Sequence, residues 1–411
     1  MSVLALLTMS MLVVLNYRIA RDFRYPPVLM SAVWLIIMSI YYISPLEINK
    51  IGVVTVLIFI STILAFSSGG LLALAVPERR RRTRASRSAP LESLTTRPRL
   101  KAVLLALSLV MLPLMIEKAI QLVSESGAEF FFVGLRWEVL AEGSRGYGHL
   151  GYVPLLSFFT TFVYAIEPRT SRGERLQYCF SFLLSLVYAA LTTGRSSFYL
   201  LLVVLMGVYL MKGSFKPWTF LAGTVVFLAS FAFLGIAMGK GGDLYASWSD
   251  NFSSLGESAL TYAEGPIPAF DQVVRKEAPL EYGRNTFLGP LNIFRKLAGK
   301  PLASAIQEEV DIPFPTNVYT GIHPVYKDFG LVGVILAFAA IGAVSTHFYV
   351  RGLAGDPLYI FYYSLGLFPL LFMVFSDQYF VPMVIWVMYG LAAYLYFRTE
   401  KGRAVTVLQS T

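Results

Sequence analysis

The feature that most constrains this chain is a series of apolar runs, at 2–16, 27–43, 50–76, 102–123, 152–166, 178–193, 197–211, 217–238, 328–350, 357–375 and 379–397. A bilayer core about 30 Å thick takes roughly 20 apolar residues per helix. The spacing therefore predicts an all-α, polytopic integral membrane protein of about 11 transmembrane helices. Composition agrees: 56% of the residues are hydrophobic and 14% charged, against about 25% charged in soluble domains. The first run has no basic segment before it and no small-residue cleavage site after it, so it reads as a span and not as a removable leader.

The formal net charge is +9, which on a soluble chain would raise nucleic acid as a partner. Here the cations fall in short loops, and the positive-inside rule accounts for them. One set of loops holds Arg18, Arg21 and Arg24, the cations from Arg79 to Lys101, and Arg169, Arg172 and Arg175. The same set holds Lys212, Lys216, Arg351, Arg398, Lys401 and Arg403. That side is expected to be cytoplasmic, with the N-terminus outside and the C-terminus inside. No nucleic-acid partner is expected.

Three segments lie between spans. Residues 78–101, with four successive arginines from Arg79, read as a basic cytoplasmic linker. Residues 124–151 form a medium outer loop, and 239–327 a large one between the eighth and ninth spans. The expected division is 1–238 (spans one to eight), 239–327 (a loop domain) and 328–411 (spans nine to eleven and a tail). Within the large loop Phe287, Leu291, Phe294 and Ala298 share one helical face, which suits a short helix either on the outer leaflet or on the top of the bundle.

Chemistry concentrates on the outer side. Thr193-Gly194-Arg195 joins two spans with almost no loop, so Arg195 is held at headgroup depth beside a helix N-terminus that Ser196 or Ser197 would cap. Backbone N–H groups and a guanidinium together suit a phosphate; a snorkelling arginine would give the same pattern. Arg136, Arg145 and Arg284 also lie in outer loops, Arg145 inside a Gly-rich turn. Segment 315–330 brings Asn317, Tyr319, His323, Tyr326 and Asp328 to the membrane boundary. There the tyrosines would stack on sugars, and His323 or Asp328 would take a proton from a hydroxyl. An aromatic belt with a capping aspartate is the alternative. The one cysteine, Cys179, excludes an intramolecular disulfide, and the three histidines are scattered. Clusters such as Glu308, Glu309 and Asp311 read as solvated loop acids, so no metal and no cofactor are expected.

Several motifs, in order, carry a family likeness. They are the basic loop Asn16 to Pro27, Leu135-Arg136, Thr193-Gly194-Arg195, Tyr262 to Phe270, Gly283 to Pro290, Thr316-Asn317-Val318-Tyr319, and Tyr326-Lys327-Asp328-Phe329-Gly330. On these the chain resembles the O-antigen polymerase (Wzy) family of oligosaccharide repeat-unit polymerases. The resemblance implies a metal-independent glycosyltransferase on the periplasmic face of the bacterial inner membrane. It would transfer a growing glycan from undecaprenyl diphosphate onto a lipid-linked repeat unit, with undecaprenyl-diphosphate-linked oligosaccharides and a chain-length regulator as partners. It also implies Arg195, Arg136 and Arg284 as holders of the diphosphate, and His323 near the place of the base in the related O-antigen ligases. An O-antigen ligase and a lipid-linked oligosaccharide transporter are the competing readings.

If the resemblance holds, Arg195→Ala abolishes chain extension and leaves single-repeat lipid intermediates in place. Long glycan on a gel from cells carrying that variant as their sole copy would remove Arg195 from the site.

Overall fold

The computed structural model describes residues 2–44, 50–75, 97–140, 146–168, 171–213, 256, 260–276, 278–304, 306–312 and 314–398. The eighth apolar run, most of the basic linker, Arg145 and the C-terminal tail lie outside the described residues. The helices are α1 Ser2–Ala20, α2 Pro26–Ile43, α3 Val53–Ala75, α4 Pro98–Ser126, α5 Phe131–Leu140, α6 Val153–Ile166, α7 Arg172–Leu191 and α8 Arg195–Lys212. They continue with α9 Pro266–Lys276, α10 Leu288–Leu297, α11 His323–Leu353, α12 Pro357–Phe372 and α13 Met383–Arg398, and β1 Val310–Asp311 pairs with β2 Pro315–Thr316. Among the described residues seven helices are long and apolar enough to cross a bilayer, and α12 and α13 are shorter apolar helices. The chain is a multi-pass membrane protein.

The chain divides into two compact units that cut across sequence order: Met1–Ala89 with Ala259–Thr411, and Pro90–Ser258. The first three helices thus belong with the last three, where a division by sequence order would have kept them with α4–α8.

In the first unit α3 and α11 form the central pair. A Cβ on Gly69 would fall on the Ala339 carbonyl, and one on Gly342 would fall on the Phe66 carbonyl. Glycine at both positions lets the two backbones touch. That contact is how membrane helices gain packing when lipid offers no hydrophobic driving force between them. Around the pair a core gathers Trp34, Phe59, Phe66, Phe270 and Phe338. Asn16 adds polar ties, donating to the Pro27 carbonyl and to Ser67 Oγ.

The two ends of this unit differ in chemistry. At the basic end, Arg24 pairs with Asp22 at 2.8 Å and Arg398 with Asp356 at 2.8 Å. Tyr349 Oη donates to Asp22 there, and Tyr363 Oη to the Arg24 carbonyl. At the other end, the loop end, α9 docks on the start of α3: Asp271 accepts from the Gly52 N–H and Thr55 Oγ1, and so caps α3 from 219 residues away. Gly330 (φ 63°) breaks α11 into a short first segment and a long one. The 23 residues from Leu331 to Leu353, at 1.5 Å each, give about 35 Å, enough to span.

The second unit is held by buried polar groups. Lys101 is 2% exposed and bonds Glu167 at 2.8 Å and Glu174 at 3.5 Å. Lys212 Nζ donates to the Ala165 and Ile166 carbonyls and so closes the C-terminus of α6. Ser157, Thr161, Ser181 and Ser185 form a hydroxyl ladder between α6 and α7.

Gly342→Ala places a methyl group on the Phe66 carbonyl and costs about 1–3 kcal/mol, the usual range for overpacking. Gly342→Leu leaves no monodisperse protein in mild detergent. Unchanged melting temperatures for both, measured by fluorescence-detected size-exclusion, would show that the glycine contact is not what holds the pair.

Candidate functional site

The loop end of the first unit carries the most developed group of charges among the described residues. It starts from Asp328, which is fully buried. Its carboxylate accepts from the Asn285 N–H at 3.0 Å, Asn285 Nδ2 at 2.8 Å and the Thr286 N–H at 2.6 Å. The backbone adds Glu281 N–H to the Lys327 carbonyl and Tyr282 N–H to the Asp328 carbonyl. Gly283, at φ 94°, supplies the left-handed turn that lets 281–287 fold over the first segment of α11. Asp328 was expected as a proton acceptor. Its oxygens receive three donors, and through them it anchors this turn.

The anchored turn forms one wall of a pocket of about 260 Å³ lined by Glu281, Arg284, Asn285, Arg295, Ser304, Gln307, Glu308 and Lys327. Three cations face two carboxylates, so the pocket is positive by formal charge. Lys327 Nζ lies 3.0 Å from Glu281 and is only 20% exposed. Arg284 is 68% exposed and stands 3.9 Å from the same carboxylate, a distance and exposure at which an ion pair holds weakly. Arg295 Nη1 donates to the Pro301 carbonyl at 3.3 Å.

Behind the pocket, His323 opens α11 and is 3% exposed. It stacks on Tyr319 with centroids 4.3 Å apart and an interplanar angle of 17°. Tyr319 Oη donates to the carbonyl of Glu308, a pocket residue, and burial pushes its phenol up to about 12. The charges of Lys327, Glu281 and Asp328 all bear on His323. Asn317 is exposed just after β2.

The structure therefore brings Arg284, Tyr319, His323 and Asp328 to one end of one unit. Arg136 and Arg195 belong to the second unit. Arg136 sits half-buried in α5 beside the buried Leu135, and Arg195 is the half-buried first residue of α8. The expected cap by Ser196 or Ser197 is not formed. The N-cap is Gly194, which has no side chain to offer, and Ser197 Oγ accepts from Thr192 Oγ1 at 2.8 Å.

Two groups emerge that sequence reasoning passed over. Lys327 and Glu281 are the paired charges of the pocket; Lys327 lies one helical turn after His323, a spacing visible in the sequence. Glu264, in the helical turn 260–264 that leads into α9, is fully buried, and the Ser44 hydroxyl is the side-chain donor beside its carboxyl. Burial raises its pKa, and the nearby Ser44 hydroxyl offsets this only in part.

Comparison with family models, curated proteins and solved structures returns no match for this chain.

The raised pKa of Glu264 has a stability consequence. The folded state favours its protonated form, so the benefit is complete below the ordinary glutamate range and is lost as pH rises through the raised value. Glu264→Gln should melt with wild type near about pH 4 and above it near about pH 8. A constant offset across that range would mean that the carboxyl does not titrate with folding.

Proposed function

We propose that the chain is a polysaccharide polymerase of the bacterial inner membrane, with the loop end of the first unit facing the periplasm. In this reading it transfers a growing glycan from undecaprenyl diphosphate onto a lipid-linked repeat unit. The observation that carries the proposal is the cationic pocket at the start of α11, with the Tyr319–His323 stack behind it. The run of motifs shared with the O-antigen polymerases supports it from the sequence side.

The chemistry asks for little else. A lipid diphosphate is a good leaving group and brings its own free energy to a compartment without nucleotides. The protein must stabilise charge on the departing phosphate and place an acceptor hydroxyl. Lys327, Arg284 and Arg295 supply the positive charge. Glu281 is the carboxylate with both pocket exposure and a neighbouring ammonium, and in this proposal it takes the proton from the attacking hydroxyl. His323 and Tyr319 keep that wall rigid. Arg136 and Arg195 remain proposed diphosphate contacts on the strength of their motifs.

Purified protein supplied with lipid-linked repeat units tests this directly. Lys327→Ala should lower kcat/KM by about 10²–10³-fold, the loss seen when one charge-stabilising donor is removed. Glu281→Gln should lower kcat by about 10²–10⁴-fold with KM little changed. Wild-type rates in both variants would refute the pocket as the site.

A further inference from the structure

Helix α10 sits on the protein the opposite way round from an ordinary surface helix, whose apolar stripe faces the core. At about 100° per residue, Leu288, Asn292, Arg295 and Lys296 fall on one side, and Gly289, Pro290, Leu291, Ile293, Phe294 and Leu297 fill the rest. The side with the polar groups is the one turned to the protein. Leu288 is buried, and Leu288 and Arg295 line the charged pocket. Asn292 exchanges two hydrogen bonds with the backbone of Ala303, at 2.9 and 2.8 Å, and so folds the chain after α10 back on that side. The apolar arc carries no charge and faces away. Leu291, Ile293, Phe294 and Leu297 are all exposed, Phe294 to 68% and Leu297 to 80%.

Soluble proteins seldom leave a continuous apolar patch of this kind in water. Two contacts fix the height at which this one lies. Gly289 packs on the start of α13, where a Cβ added to it would fall 3.2 Å from Val384 Cγ2. Phe287, the N-cap of α10, sets its ring edge-on to Phe329 with centroids 6.4 Å apart, just before the Gly330 break in α11. In both helices the exposed apolar surface begins within one turn of the contact, at Val387 of α13 and at Leu331 of α11. Helix α10 thus lies across α11 and α13 at the level where their apolar surface starts. For helices seated in a bilayer that level is the boundary between headgroups and acyl chains.

Length and charge fit the same place. Ten residues give a helix of about 15 Å, half of what a crossing needs. Lys296 borders the apolar arc and Lys300 follows just beyond the helix end, and both are exposed. Basic residues beside an apolar face are the composition of helices that lie in a membrane interface.

We infer that α10 is an interfacial anchor. Its apolar arc lies among the acyl chains of the leaflet at the loop end, Lys296 and Lys300 meet lipid phosphates, and its other side forms a wall of the charged pocket. The pocket that holds Arg295 then stands at headgroup height, with the bilayer covering the outer side of that wall. None of this depends on the reaction assigned to the pocket; it requires only that the chain be seated in a membrane. A second copy of the chain or a soluble partner would cover the same arc without lipid, and experiment separates the three.

Nitroxide labels read the surroundings directly. Cys179 is exposed, so the background is Cys179→Ser. On it, Phe294→Cys, Leu297→Cys and Lys300→Cys of the full-length protein are labelled singly and placed in vesicles of phosphatidylethanolamine and phosphatidylglycerol. Power saturation compares access to oxygen, which partitions into lipid, with access to a water-soluble nickel chelate. Labels at positions 294 and 297 should favour oxygen and report a depth of roughly 5–10 Å below the phosphates, while the label at position 300 favours nickel. Nickel access at 294 and 297 equal to that at 300 would put the arc in water and overturn the anchor. Exclusion of both reagents at 294 and 297 would put the arc against protein and overturn it equally. Ile293→Cys, on the same arc, supplies the reading if either labelled variant elutes unlike wild type.

Discussion

The contact on which the rest depends is the meeting of two backbones, α3 and α11, at Gly69 and Gly342. Lipid tails are as apolar as leucine, so burial alone does not drive one membrane helix against another. Close approach does, through dispersion contacts that fall away within an ångström. Once the two helices are locked, their loop-end termini are placed as well. The start of α3 is where Asp271 docks α9, and the first segment of α11 is where Asp328 docks the turn 281–287. The charged pocket is therefore positioned by a glycine contact deep in the bundle.

Three aspartates at that end share one task. Asp271, Asp328 and Asp377 each take backbone N–H groups that would otherwise be left without partners at a helix start or a turn. A buried carboxylate is costly, and two or three donors are what offset the loss of water. At Asp377 the balance still favours the acid: burial pushes it up to about 6 against three backbone donors. Glu264 has no such donors and is the exception. A carboxyl kept buried with one serine hydroxyl beside it and no backbone donor is a cost to folding with no visible structural return. That places Glu264 beside Glu281 as a group of interest at this end.

How much of this was legible in the sequence follows from the range of each interaction. Helix existence is a local property, and the apolar runs at 2–16, 27–43 and 50–76 reappear as α1, α2 and α3 within a few residues. Of the face shared by Phe287, Leu291, Phe294 and Ala298, Leu291 and Phe294 lie on α10 and Phe287 is its N-cap, with Leu288 turned inward and Phe294 68% exposed. What stayed hidden is non-local. Nothing near Asp271 announces that its partners are Gly52 and Thr55, and Lys101 gives no sign in sequence that it is buried against Glu167. Asp328 shows the limit most clearly. An aspartate at a membrane boundary reads equally as a base or an anchor, and nothing near it in sequence announces that Asn285 and Thr286 are its donors.

The two ends of the first unit give the charge distribution its meaning. At the basic end three cations have short-range work within the protein: Arg24 on Asp22, Arg398 on Asp356, and both Arg351 and Arg398 over the ring of Tyr359. Charges held this way set orientation and stiffness, and a ligand would have to break a pair to reach them. At the loop end Arg284 is mostly in solvent with a carboxylate at 3.9 Å, and Arg295 offers its guanidinium to a single carbonyl. An incoming phosphate would replace solvent and a distant carboxylate there, at little cost in existing contacts, and would meet Lys327 already oriented by Glu281. Arg24 and Arg398 are thus committed to carboxylates within the protein, whereas Arg284 and Arg295 keep guanidinium groups that an anion reaches without breaking a close ion pair.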